Sequence, residues 1–484
     1  MTLEPGVEPH GPHLLGRMRC MPHRTRLAVI VSAEPMFRRA AFVLLAGCLA
    51  LGGASSAWAW SQHPWATVVA LSAMPEVAGQ TVRAESLESF LGQQAPVLER
   101  ALAEHEAWAR AQLPAYAPRP EALAFRAVDD AVPLRRRFLQ ALRVNPTMPL
   151  KLFVQTAPGR TRAGRLMDWT EISILRSGSG ARGQPIIELA EGEAVSALEV
   201  VASASNEPDH GLDIGHFADN GTAHGQVYGF GRQAFGSPSV DFSSQAPFHM
   251  GFFHEAWIVR QAAPFLQRSQ VEARVALFSA LARTAFASGH PYWGWRFTGW
   301  ALHYVQDMTQ PYHARALPGV AVARLLWMNA LDLAGRPGAK DDAVTLVTNR
   351  HVVVENYQKR RLAEALAAGR NDDLLLRALA GEAAEVGEGR LPLANLRAVV
   401  SAEAAARADV LDAQIERSFP RVLVSDPDRP LGNEADALDM LTTARLHSAA
   451  QAEALDRELA ALLAALGRHS RALVREILIL PRPK

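Results

Sequence analysis

The residues best suited to chemistry in this chain lie in the string His303-Tyr304-Val305-Gln306-Asp307-Met308-Thr309-Gln310-Pro311-Tyr312-His313. On a helix, His303 and Asp307 project from one face, so an imidazole and a carboxylate can converge on one cation. Pro311 disfavours regular continuation of that helix and can swing His313 towards a second cation. His351 and Glu355 repeat the four-residue spacing on another predicted helix. One such pair is common on solvated helix faces, whereas two pairs with His313 beside them point to metal binding. Imidazole and carboxylate without thiolate suit zinc held at open, hydrolytic sites, where bound water is acidified from its bulk value towards about 7 and becomes a nucleophile at neutral pH.

Helices have to position these groups. Apolar residues recur at three- and four-residue spacing over 86–113, 270–288, 292–307, 343–368, 372–386 and 434–466. Few stretches alternate like strands, and 153–155 and 186–189 are expected as short extended pieces. Between 203 and 247 the composition shifts to Gly, Asp, Asn, Ser and His, which marks a long irregular segment of the kind that often carries function. The expected architecture is all-α: one large helical domain over 60–484, a bundle whose facing helices place ligands in its interior. Residues 75–201 are expected to form an inserted or capping helical region. The Ala/Leu/Glu/Arg-rich C-terminal third reads as core-facing helices with no chemistry of its own.

Composition narrows the function. The 484 residues carry 50 basic and 49 acidic side chains, a net charge of +1 that gives no basic track for wholesale binding of nucleic acid or anionic membrane. Two cysteines exclude a disulfide-rich scaffold and a Cys₄ or Cys₂His₂ zinc site. Residues 1–59 read as a leader and signal peptide: Arg38-Arg39 precedes the apolar run 40–51, and Ala57-Trp58-Ala59 supplies a small-x-small cleavage site. That run is too short for the ~20 residues that span a bilayer. Cleavage after Ala59 makes Trp60 the first mature residue, leaves a mildly acidic, cysteine-free chain, and implies a periplasmic or secreted protein. Leu45-Ala46-Gly47-Cys48 offers the rival reading of a lipoprotein anchored through Cys48.

The pattern HxxxDxxxPxH at 303–313, followed by HxxxE in His351-Val352-Val353-Val354-Glu355-Asn356, resembles the trinuclear zinc site of the superfamily joining bacterial zinc-dependent phospholipases C and fungal or plant single-strand-specific zinc nucleases. In that superfamily the mature chain begins with a tryptophan whose amino nitrogen and carbonyl oxygen chelate zinc, and Trp60 occupies that place here. The resemblance covers 60–74, 204–209 and 292–357. It implies three zinc ions. Trp60, His63 and Asp307 would hold one, Asp209, His249, His303 and a bridging Asp307 a second, and His313, His351 and Glu355 the third. It also implies that Asp209, in Ala204-Ser205-Asn206-Glu207-Pro208-Asp209, orients the attacking water. Asp213 is the rival to Asp209, and His254, then His216, are the rivals to His249. The stretch from Asp209 to His249 and the gap from His313 to His351 are both longer than the family pattern.

The resemblance implies phosphodiester hydrolysis yielding a phosphomonoester and an alcohol. Glu355 and the string His-Val-Val-Val-Glu-Asn-Tyr are closer to phospholipases, so phospholipid is the favoured substrate, with transient contact to a membrane surface and no obligate protein partner. A single-strand nuclease acting on single-stranded nucleic acid is the alternative, and a non-catalytic zinc-carrying envelope protein is an alternative of another class. His105, His210, His224, His290, His447 and His469 read as surface or satisfied core residues. Trp293, Trp295 and Trp300 read as core rather than as a platform for a base or a quaternary ammonium group.

Overall fold

The computed structural model describes residues 60–479 except 61, 129–132, 176–183, 239, 382–388 and 433–436. The signal-peptide and Cys48 readings lie outside the described residues. The helices that bear on the site are α1 (His63–Leu71), α2 (Leu87–Gln112), α3 (Ala197–Ala204), α4 (Ala246–His249), α5 (Val271–Ala287), α6 (Pro291–Asp307), α7 (Pro311–Ala314), α8 (Gly338–Ala367), α9 (Leu374–Ala380), α10 (Ala402–Ser418), α11 (Met440–His447) and α12 (Ala449–Leu478). The strands are β1 (Thr81–Arg83), β2 (Phe153–Gln155), β3 (Ile186–Glu188) and β4 (Ala194–Ser196).

Helix α6 is buried on every face from Tyr292 to Asp307. A helix with no polar outer stripe has to lie at the centre of a fold, and the other elements arrange themselves around it. It packs along α5, the two joined by a short turn in which Gly289 takes a left-handed conformation (φ 83°). On its other side α3 comes so close to Gly299 that a Cβ there would lie 2.5 Å from Ala204 Cβ and 2.6 Å from the Val201 carbonyl oxygen. Trp293, Trp295, Trp300, Phe297 and Leu302 of α6 join Phe90 and Leu98 of α2 and Phe278 of α5 in the larger core cluster. The fold is predominantly helical, as expected.

A second core cluster forms around Trp60, Val353 and Tyr357 of α8, Leu375 of α9, Leu411 of α10 and Leu455 to Leu466 of α12. Met308 belongs to the first cluster and Tyr312 to the second, so the motif 303–313 runs across the seam between them. Residues 75–201 contribute α2, the first part of α3 and both two-stranded antiparallel ribbons, β1 with β4 and β2 with β3. Their apolar residues, including Val82, Phe90 and Val201, pack in the cluster that contains α6.

The predicted helix over 434–466 is corrected to two helices. Ser448 interrupts it with an extended backbone, and its side chain accepts from the Gln451 N–H to start α12. That helix then runs past Gly467, which is no stop signal: a Cβ there would lie 2.1 Å from the Leu379 carbonyl oxygen, so the glycine allows α9 and α12 to touch.

Candidate metal centre

Apart from the 30-residue α8, which carries His351 and Glu355 in its interior, each ligand-bearing element is short or ends at its ligand, and proline opens most of them. Pro64, Pro208, Pro247, Pro291 and Pro311 occupy the first turn of α1, of the 3₁₀ turn Glu207–His210, of α4, of α6 and of α7. Proline is suited to that position because its missing N–H would lack a helical partner there in any case. Helix α6 ends at Asp307, and α7 restarts at Pro311. The offset turns His313 back so that its Nδ1 lies 2.9 Å from the His249 carbonyl oxygen.

The side chains of His63, Asp209, His249, His303, Asp307, His313, His351 and Glu355 are all buried. They form three groups whose potential ligand atoms lie within 4.8 Å of one another: His63, His303 and Asp307; Asp209, His249 and His303; His313, His351 and Glu355. The first two share His303. Asp307 Oδ1 is 3.3 Å from His63 Nε2, and its Oδ2 is 2.8 Å from His249 Nδ1 and 3.3 Å from His303 Nε2. The two oxygens of one carboxylate therefore face different histidines. Asp209 lies slightly further out, 3.8 Å from His303 Nε2 and 4.0 Å from His63 Nε2. In the third group His351 Nε2 is 2.7 Å from Glu355 Oε1, and the His313 and His351 rings meet edge to face at 5.2 Å.

Surrounding groups orient the imidazoles. His303 Nδ1–H donates to the Ser205 carbonyl (2.8 Å), and His313 Nδ1–H to that of His249. Gln306 uses its amide N–H bonds on Thr67 (2.9 Å) and Ser470 (3.1 Å), which leaves its Oε1 to accept from His63 Nδ1–H at 2.7 Å. In all three cases Nε2 keeps its lone pair and points into the cluster, the arrangement that metal-ligating histidines adopt. His63 Nε2, His313 Nε2, Asp209 Oδ1 and Asp307 Oδ1 are buried without a hydrogen-bond partner among the described residues. Buried polar atoms are rarely left so, and a cation is the natural partner for this set. The donors fit zinc, being imidazole and carboxylate only.

Charge is arranged to the same end. Burial favours the neutral form of Asp307, yet the imidazoles of His303, His249 and His63 hold its carboxyl well below the usual carboxylate range. Burial also works against a charged His249, but Asp213 and Asp307 outweigh it and push the imidazole up to about 10. His313 is held down to about 4 and His351 well below its ordinary value, in both cases chiefly by burial. The two-carboxylate part of the site thus attracts positive charge, and the histidines of the third group stay neutral and ready to ligate.

Trp60 is fully buried beside this cluster, with its indole N–H donating to Thr309 Oγ1 at 2.8 Å. His254 is elsewhere, bonded to the Arg397 carbonyl, and His216 bonds to that of Leu212. Asp213 lies 3.4 Å from His249 Nε2, accepts from the Tyr304 hydroxyl and pairs with Arg274 Nη2 at 2.6 Å, so it backs His249 from behind.

Several supporting residues escaped sequence reasoning. Glu207 accepts from Arg296 and from the Trp300 indole N–H (3.0 Å), clamping the turn that carries Asp209 onto α6. Trp293, Trp295 and Trp300 are core residues, and Trp300 has this polar task as well. In the C-terminal third, Asp412 of α10 accepts from Tyr312 (2.7 Å) and pairs with Arg350, while Tyr312 stacks on the His351 ring at 5.1 Å. Together with Ser470 of α12, this gives the C-terminal helices a part in positioning the site, although they provide no member of the three groups. No periodicity signals such contacts. Among the histidines read as unimportant, His290 pairs with Glu85 and His469 with Glu403, away from the centre.

No protein-family model matches the chain, and no curated protein or solved structure matches it.

Proposed function

We propose that the chain is a zinc-dependent phosphodiester hydrolase of the phospholipase C and single-strand nuclease type, acting on phospholipids. The observation that carries this reading is the set of three adjoining groups of buried imidazoles and carboxylates, two of them sharing His303, in which His63 Nε2, His313 Nε2, Asp209 Oδ1 and Asp307 Oδ1 have no hydrogen-bond partner among the described residues. His63 and Asp307, with the freed amino end of Trp60, would hold one ion. Asp209, His249, His303 and Asp307 would hold the second, and His313, His351 and Glu355 the third. Zinc bound there supplies an acidified water for attack and positive charge for phosphoryl oxygens.

The chain's own groups do the rest. Asp209 presents a carboxylate oxygen with which to orient the attacking water and accept its proton. Gln306, Ser205 and the His249 carbonyl keep three imidazoles in the tautomer that leaves Nε2 free. The candidate ligands are buried, which strengthens each electrostatic contact among them. The products are a phosphomonoester and an alcohol. Glu355 and the balanced charge favour phospholipid over polynucleotide.

Elemental analysis of the mature protein with initial rates on phosphatidylcholine and single-stranded DNA tests this. The expected result is one zinc for each of the three groups, and chelator-sensitive turnover that is faster on the lipid. A clear preference for DNA, releasing nucleotide 5′-phosphates, would move the assignment to the nuclease branch. Zinc without turnover of either substrate would leave a zinc-carrying binding protein.

A further inference from the structure

Two short helices that continue from ligand-bearing segments turn apolar side chains outward. Trp257–Ala262 follows shortly after His249, and Val322–Leu333 shortly after His313. Glu255 ties the two segments together, its Oε1 accepting from Arg315 Nε (3.2 Å) and from the Ala316 N–H (2.8 Å). Inside, Val259, Leu325 and Met328 line one small cavity with Phe265 and Leu266, so the inner faces of both helices already have partners. Outside, Trp257 is 67% exposed, Ile258 40%, Leu326 39% and Trp327 55%. Ala323 and Ala330 are exposed too, completing an outward stripe at helical spacing with Leu326 and Trp327. A surface helix ordinarily shows polar residues to water, and contiguous exposed apolar side chains mark an interaction site.

Charge indicates which partner. Residues 256–270 and 314–331 contain Arg260, Arg268 and Arg324, besides the Arg315 that Glu255 neutralises, and no Asp or Glu; Asp332, at the end of the second helix, is paired with Lys340. Tryptophans beside arginines, with no acidic residue between, suit the headgroup region of a lipid bilayer: the indole rings settle at the interface and the guanidinium groups meet phosphates. No helix among the described residues is long and apolar enough to cross a membrane, so such contact would be with the surface.

We propose that the outward face formed by Trp257, Ile258, Leu326 and Trp327 docks the protein on a phospholipid surface and brings the segments bearing His249 and His313 to it. The proposal rests on the phospholipid reading for its substrate, but docking is measurable without turnover.

The test compares the purified metal-loaded protein with a Trp257→Ala, Trp327→Ala double variant. Binding is read by sedimentation with vesicles of phosphonate analogues of phosphatidylcholine and phosphatidylglycerol, and by quenching of tryptophan fluorescence with brominated acyl chains. Turnover is read on dispersed short-chain phosphatidylcholine. The double variant should bind vesicles at least about tenfold more weakly, because two large apolar side chains no longer leave water. It should lose the quenchable fluorescence and keep its zinc content. Arg324→Glu should weaken binding more on vesicles containing phosphatidylglycerol than on phosphatidylcholine alone. Absence of vesicle binding by the unaltered protein, equal binding or equal quenching in the two forms, or self-association that the double variant abolishes would overturn the proposal. Tryptophan-dependent vesicle binding by a protein that hydrolyses neither lipid nor DNA would uphold docking and refute the hydrolase reading. Lipid turnover with no vesicle binding would do the reverse.

Discussion

Arg296 meets Glu207 inside the protein, its Nε 2.9 Å from Glu207 Oε1, with both side chains buried. The pair fastens the turn Glu207–His210 to α6, and Asp209 rides on that turn. Removing one partner strands the other charge away from water. Glu207→Ala should therefore cost about 3–5 kcal/mol of stability and loosen the metal that Asp209 helps to hold. Denaturant unfolding and zinc stoichiometry measure the two effects. A folded Glu207→Ala protein with unchanged zinc would confine the pair to a structural role.

Asp307 should matter more than any other ligand, because its two oxygens face different histidines. Asp307→Ala is expected to remove two metals, and Glu355→Ala to loosen one. Changes behind the ligands typically weaken metal affinity about 10- to 100-fold, and loss of a carboxylate shared by two ions should exceed that. Metal content after dialysis against graded chelator separates the variants; equal zinc loss from both would contradict a bridging Asp307.

Trp60 lies against the cluster through its bond to Thr309. An amide nitrogen is a very poor zinc ligand at neutral pH, whereas a free α-amino group with a pKa of about 7.7 to 8.0 can deprotonate and bind. Protein beginning at Trp60 should hold the full zinc complement, and a form with one added residue should lose the ion shared with His63 and most of its turnover. Matching zinc content in the two forms would reduce Trp60 to a packing residue.

His105 gives a pH dependence away from the metal ligands. Burial, with Arg119 and Arg143 adding to it against the pull of Glu106, holds the imidazole down to about 4 from its ordinary 6.5. As pH falls, the unfolded chain takes up this proton first, so the folded state is progressively disfavoured. The contribution is intact above pH 6.5 and is lost as pH falls towards about 4. His105→Gln should flatten the decline of the denaturant midpoint across that window. Parallel curves for the variant and the unaltered protein would show that His105 does not carry it.

The local part of this centre can be read from residue spacing. His303 with Asp307, and His351 with Glu355, sit on one helix face because four residues make about one turn, and Pro311 ends α6 because it cannot continue a helix regularly. The helical character of 86–113, 270–288 and 292–307 was equally legible, since an apolar stripe is a local pattern. Asp209 and His249 entered through resemblance alone, as they lie in or just beyond a segment without periodicity. Their convergence with His303, and the placing of the two Asp307 oxygens against different histidines, follow from packing in three dimensions. The same packing sets Glu207, Asp213, Asp412 and Ser470 to hold the ligands from behind, and Gly299 lets α3 close on α6. Periodicity reports which face of an element leaves water, whereas these relationships depend on which buried faces meet, and residues far apart in the chain settle that by packing together.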